Sequence, residues 1–200
     1  MSYLLAIDTT AGTGVALLKD GMLIAEVQHD QGVKHAEQIG DSLAQVFAET
    51  GLRPQAIDLV AVGRGPALFT GLRVGIAAGI MFAEAAGARL CGVVSLDAIA
   101  LSLYTSDGNL PEHPLFIHTD ARRGEVYWAL YGGLDSSHLP VVLSGPSVGK
   151  YEQVVEALTA EHGQLTERTG GATAAWVARL AELQLAAGHT SADVTALYLR

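Results

Sequence analysis

The stretch Val60-Ala61-Val62-Gly63-Arg64-Gly65-Pro66-Ala67-Leu68-Phe69-Thr70-Gly71-Leu72-Arg73-Val74-Gly75-Ile76-Ala77-Ala78-Gly79 sets how the rest of the chain is read. A short apolar strand runs into a Gly/Pro turn, and the turn opens a helix with glycine at 71, 75 and 79. Glycines four residues apart share one helical face, so this helix carries a stripe bare of side chains. Each interior glycine costs about 0.5–1 kcal/mol relative to alanine. Three of them imply that something presses very closely on that face. It could be a ligand, a strand of the same chain or a second protein.

Outward from this helix, strands and helices alternate. Tyr3 to Asp8 reads as a buried strand, Val15 to Lys19 as its return and Met22 to Gln28 as a third, with Asp20-Gly21 a strong hairpin signal. Ala36, Ile39, Leu43, Val46 and Phe47 fall at helical spacing, which predicts a helix over 33–50 closed by Gly51. Apolar strands follow at 57–62 and 90–94, with a helix over 96–104 that Ser95 can cap. A meander followed by βαβ units predicts a mixed sheet with right-handed crossovers. The polar segment 106–114 divides the chain into a first lobe, 1–105, and a smaller second lobe, 106–200, whose last helix could pack back on the first. Strands are expected at 115–119, 125–131 and 141–143, and helices at 151–161 and 172–187. The lobes echo each other: a strand ending in Asp8 or Asp120, a turn, a glycine and a return strand.

Half of the 200 residues are apolar, enough for a real core, and the formal charge is −9. An acidic surface repels a phosphate backbone, so nucleic acid is expected only through a basic partner. Cys91 is the only cysteine, which leaves no internal disulfide or thiolate metal cluster. The chain shows no signal peptide and no apolar run of 18 residues, so it reads as cytosolic with no membrane contact.

Chemistry-bearing patterns are sparse. Asp8, Thr9, Thr10 and Gly12 form a strand-end turn that could hold nucleotide phosphates, or an ordinary Asx turn. Arg73 could serve an anion at the helix start or pair with Glu84 or Asp97. Arg122 and Arg123 could be pinned to a neighbouring carboxylate. The seven histidines show no paired metal spacing, and neither a nucleophile elbow nor a Gly-Lys-Ser/Thr loop is present. No catalytic residue and no metal ligand is therefore assigned. The helices over 33–50 and 71–86 could instead pair with the same helices of another subunit through His35, Ile39, Leu43, Gly71, Val74, Gly75, Ala78 and Gly79. The bland alternative packs the glycine stripe on the chain's own sheet.

Gly65-Pro66-Ala67-Leu68-Phe69-Thr70-Gly71-Leu72-Arg73-Val74-Gly75 resembles the Gly-Pro-Gly-Ser-Phe-Thr-Gly-Leu-Arg-Ile-Gly signature of the bacterial TsaB family. Ile7-Asp8-Thr9-Thr10, His35-Ala36-Glu37, Asp120-Ala121-Arg122-Arg123-Gly124-Glu125-Val126-Tyr127 and Leu197-Tyr198-Leu199-Arg200 match it in the same order. The resemblance implies an α/β, actin-like (Hsp70-type, ribonuclease H-like) ATPase fold of two lobes. It implies a non-catalytic subunit that pairs with the transferase TsaD and the ATPase TsaE, forms a homodimer when alone, and meets tRNA only through the complex. The modification is threonylcarbamoyladenosine. No cofactor is required by this reading, and ATP or ADP could sit at the subunit junction. TsaD carries a metal-binding His-x-x-x-His where this chain reads Ser95-Leu96-Asp97-Ala98-Ile99, and neither serine nor isoleucine replaces an imidazole ligand. Ala67, Leu68 and Ala196 depart from the family pattern, and the span 162–172 reads as shortened, with no evident strand. The competing readings are an actin-fold phosphotransferase or ATPase acting through Asp8 and, third, a peptidase.

Overall fold

The computed structural model describes residues 2–29, 35–67, 69–106 and 111–199. The segment 107–110, inside the expected lobe boundary, lies outside the described residues, as do Leu68 and the side chain of His35.

The opening meander is β1 (Tyr3–Asp8), β2 (Thr13–Lys19) and β3 (Met22–His29). Asp20 and Gly21 both take positive φ, 47° and 80°, the pairing a tight hairpin demands. Then come α1 (His35–Thr50), β4 (Leu59–Gly63), α2 (Phe69–Ala86), β5 (Arg89–Val93) and α3 (Ser95–Ser106). The first sheet has the order β3-β2-β1-β4-β5, antiparallel through the meander and parallel from β1 to β5.

The second sheet repeats this plan one strand short. It comprises β6 (Leu115–Asp120), β7 (Glu125–Leu134), β8 (Pro140–Lys150) and, after α4 (Tyr151–His162), β9 (Thr166–Thr169). Its order is β8-β7-β6-β9, with β6 antiparallel to β7 and parallel to β9, as β1 is to β2 and β4. The weak echo in the sequence is thus a topological repeat. Two expectations need correction. The span 162–172 does hold a strand, β9, and β8 runs for 11 residues instead of three. A final helix, α5 (Ala174–Ala186), packs back on β1 and β2 of the first sheet and on α3. Among the described residues no helix is long and apolar enough to cross a membrane.

Alternation along β1 builds two apolar layers from one strand. Leu5 and Ile7 face α1 and α2, with Val60 and Val62 beside them. Leu4 and Ala6 face the opposite way, into a core shared with α3, α5 and the second sheet through Leu115, Ile117 and Tyr131. The far side of the second sheet is covered by α4, through Phe116, Leu130, Val154 and Leu158. Cys91 is buried in the shared core, where desolvation pushes its thiol up to about 11.

The glycine stripe is inside the molecule, which corrects its assignment to a partner surface. A Cβ on Gly75 would overlap the side chain of Thr9, and one on Gly79 would overlap Val62. The close backbone predicted by the spacing is the chain's own sheet, over which bare glycine lets α2 settle. Ile39 is likewise 3% exposed under α1. Leu43, Val74 and Ala78 lean partly into the same core.

Candidate functional site

Two regions are left to act. One is the cleft between the sheets, a cavity of about 250 Å³. The β1–β2 turn supplies Thr9 to Gly12, the loop into α2 supplies Pro66 and Ala67, and the start of α3 supplies Ser95, Leu96 and Ile99. Thr119, Asp120, Arg122, Gly170 and Gly171 close it from the second lobe. The lobes meet tightly here: a Cβ on Gly171 would overlap that of Ala11.

Asp8 stands behind this cleft, 2% exposed. Its Oδ1 accepts from the Thr10 N–H at 2.9 Å and the Thr10 hydroxyl at 2.6 Å, an Asx turn, while Oδ2 accepts from the Ser95 hydroxyl at 3.0 Å. Desolvation raises its pKa against the pull of those hydrogen bonds. Gly63 is required beside it, since any side chain there would overlap Oδ2. The Thr9 hydroxyl donates to the Gly71 carbonyl at 2.9 Å and ties the turn to α2. Of the four residues expected at a phosphate loop, Asp8, Thr9 and Thr10 therefore hold the turn to its neighbours, and Gly12 supplies its positive φ of 136°. Both Asp8 oxygens are engaged within the chain, an arrangement that does not favour the phosphotransferase reading. Ser95 also departs from expectation: its hydroxyl goes to Asp8 across the fold.

Asp97, on the first turn of α3, bridges the lobes. It accepts from the Tyr131 hydroxyl at 2.7 Å, and the Tyr104 hydroxyl donates to the Tyr131 carbonyl at 3.3 Å. Burial pushes Asp97 up to about 6 despite the hydrogen bond from Tyr131. Arg122 is held beside Asp120 at 3.5 Å, as expected of a pinned arginine. The Arg123 carbonyl accepts from Lys150 Nζ at 2.7 Å. Arg73 is met from the far end of the described chain: its Nε donates to the Tyr198 hydroxyl at 2.6 Å. The bond from Ser95 to Asp8, the bond from Tyr131 to Asp97 and the anchoring of Tyr198 were missed in the sequence. Their partners lie 34 to 125 residues apart, and no local pattern announces them.

The second region is the outer surface of α1 and α2, side by side with Phe47 stacked on Phe82 at 5.6 Å. From α1 it exposes Ala36, Gly40, Ala44 and Ala48, and from α2 Arg73, Ala77, Ile80 and Met81. Met81 is 72% exposed and Ile80 42%. The exposed surface of the two helices thus carries different residues from the expected docking set. The glycine face of α2 is spent on the sheet, and the opposite face is bare. Among the described residues, no three His, Cys, Asp or Glu side chains converge as a metal site.

Residues 23–172 match the protein family described as TsaD: tRNA N6-adenosine threonylcarbamoyltransferase. The tRNA threonylcarbamoyladenosine biosynthesis protein TsaB of Escherichia coli is 37% identical over 131 residues, covering 64% of this chain and 54% of that protein. A crystal structure from Pseudomonas aeruginosa, described by its similarity to the peptidase YeaZ, superposes with a TM-score of 0.83 at 26% identity over the whole of both chains. The inorganic polyphosphate/ATP-glucomannokinase of an Arthrobacter strain superposes at 0.51 with 12% identity, covering 93% of this chain and 100% of that one, a likeness of fold alone. The architecture is thus the two-lobed actin-like one. The chain spans about half the length of the curated relatives it matches.

Proposed function

Because the chain belongs to the TsaD (tRNA N6-adenosine threonylcarbamoyltransferase) family, and within it to the TsaB group, we propose that it is a non-catalytic subunit that binds and steadies the transferase. One observation carries this reading. At the start of α3, where the transferase is expected to hold its metal between two histidines, this chain has Ser95 and Ile99. The Ser95 hydroxyl is committed to Asp8 at 3.0 Å, and Ile99 is 6% exposed in the shared core. Both positions line the interlobe cleft, but neither side chain supplies an imidazole to an ion there. A cleft lined this way favours a fold kept for what it touches over what it converts.

The outer face of α1 and α2 is the surface offered to the partner. Small residues at 36, 40, 44 and 48 of one helix lie beside Ala77, Ile80 and Met81 of the other. Two helices from a partner could pack there as a four-helix seam, since small side chains permit close approach and exposed apolar groups gain by burial. In the absence of the transferase the same face pairs with a second copy of the chain. The formal charge of −9 leaves tRNA to the partner, with TsaE joining the assembly formed with TsaD. Isothermal titration of the purified chain with purified TsaD tests this. The expected result is a saturable complex that weakens at least tenfold for Met81→Lys combined with Ala77→Lys. An unchanged affinity would move the seam elsewhere, and no binding at all would overturn the proposal.

A further inference from the structure

The segment 189–199 is neither helix nor strand, yet it is fastened along most of its length. After α5 it crosses the outer side of β5, the edge strand of the first sheet. The Gly92 N–H donates to the Ser191 carbonyl at 2.9 Å, which satisfies an edge group that would otherwise face solvent. The Asp193 carbonyl then lies so close to Gly92 that a Cβ there would overlap it. Arg64 Nη1 donates to that carbonyl at 2.9 Å and to Asp193 Oδ2 at 2.7 Å. Val194 packs against the core beneath α1 and α2, and the Leu197 N–H donates to the Arg64 carbonyl at 2.8 Å. The last fastening is on α2 itself. Arg73 Nε donates to the Tyr198 hydroxyl, and the guanidinium lies 5.5 Å from the ring centre.

Two of these anchors, Arg64 and Arg73, stand on either side of one short stretch. Pro66, Ala67 and Gly71, between Arg64 and Arg73, line the interlobe cavity. None of residues 189–199 is fully buried, and of its side chains Val194 packs against a core cluster, so the segment is held chiefly by polar bonds. Such elements open at far lower free energy than a core strand does. We propose that residues 189–199 form a detachable strap that clamps the loop after β4 and the first turns of α2, and so sets both the rim of the cleft and the outer face of α2. The seat at Gly92 is the device that lets the strap lie flat on β5. Release of the strap loosens α2 at its first turns while the sheet beneath stays intact.

Hydrogen exchange read by mass spectrometry on the full chain tests this without any partner. Gly92→Ala places a methyl group against the Asp193 carbonyl and unseats the strap. Amides of 191–197 and of 73–76 are expected to exchange about tenfold faster, with 60–62 in β4 unchanged. Tyr198→Leu breaks only the last clamp: 73–76 speed up while 191–195 keep their protection. The proposal is overturned if the wild-type segment exchanges like a free chain, or if 73–76 keep wild-type protection in both variants. Should Gly92→Ala unfold the sheet, Tyr198→Leu alone decides, because Tyr198 is an exposed side chain on the surface of α2.

Discussion

The inward glycine face of α2 makes a prediction that separates packing from docking. In Gly79→Ala, the new Cβ would sit 2.1 Å from Val62 Cγ1. Ordinary contact needs about 3.5–4.0 Å between carbons, so the helix and β4 must part by more than 1 Å or Val62 must leave its rotamer. Val62 is fully buried in a central strand and cannot swing into solvent. Overpacking of this kind costs about 1–3 kcal/mol, of which alanine's better helix propensity returns about 0.5–1 kcal/mol. A net loss of about 1–2 kcal/mol is expected, measured by urea denaturation with the oligomeric state followed by light scattering at the same concentrations. Removing the obstacle should rescue it. In Gly79→Ala with Val62→Ala the two losses should fall short of their sum by at least about 1 kcal/mol, since the new methyl fills the space the valine leaves. If instead Gly79→Ala keeps wild-type stability and changes only self-association, the stripe faces a partner and the packing described here is wrong. Strict additivity of the two substitutions would refute the contact as well.

Asp97→Asn should stabilise the fold in a pH-dependent way. The folded carboxyl titrates near 6 and the unfolded one near 3.9, so its contribution is complete below pH 4 and is lost as pH rises through 6. The gain of the variant over wild type should therefore grow across that window to about 2–3 kcal/mol at pH 7.5, and a gain that is flat with pH would contradict the burial of the Asp97 carboxyl. Ser95→Ala leaves Asp8 Oδ2 without its donor in a buried place and should cost about 1–3 kcal/mol by thermal or chemical denaturation. Met81→Lys, on the exposed face of α2, should leave stability within about 0.5 kcal/mol while lowering affinity for the transferase, as read by calorimetry.

How much of this the sequence announces depends on the range of the signal. The meander was legible because β1 and β2 are apolar runs and Asp20-Gly21 names its own turn. The helices were legible from spacing, with α1 and α2 found within two residues of their described ends. Strand β9 was not, because Thr166-Glu167-Arg168-Thr169 is polar, sits at a sheet edge and is held by its pairing with β6. Strand β8 was cut short by Ser144, Gly145 and Pro146, which read as loop. The glycine spacing gave the need for a close neighbour but not its direction, since periodicity defines a face and says nothing of what lies opposite. The cleft could be read only in part: Thr9, Thr10 and Gly12 of the β1–β2 turn stood out, but its other walls come from the loop before α2, α3, the end of β6 and the loop before α5. Arg73 could be placed on its helix, but its partner Tyr198 is 125 residues away.

The central claim is that this chain assists a transferase and carries out no transfer itself. Its most direct test is a reconstitution that counts threonylcarbamoyladenosine in tRNA by mass spectrometry, with TsaD and TsaE present and this chain added or withheld. The account predicts no modification by the chain alone, and modification by the mixture that falls steeply when the chain is left out. Product formed by the purified chain without TsaD would contradict it, as would a mixture indifferent to the chain's presence.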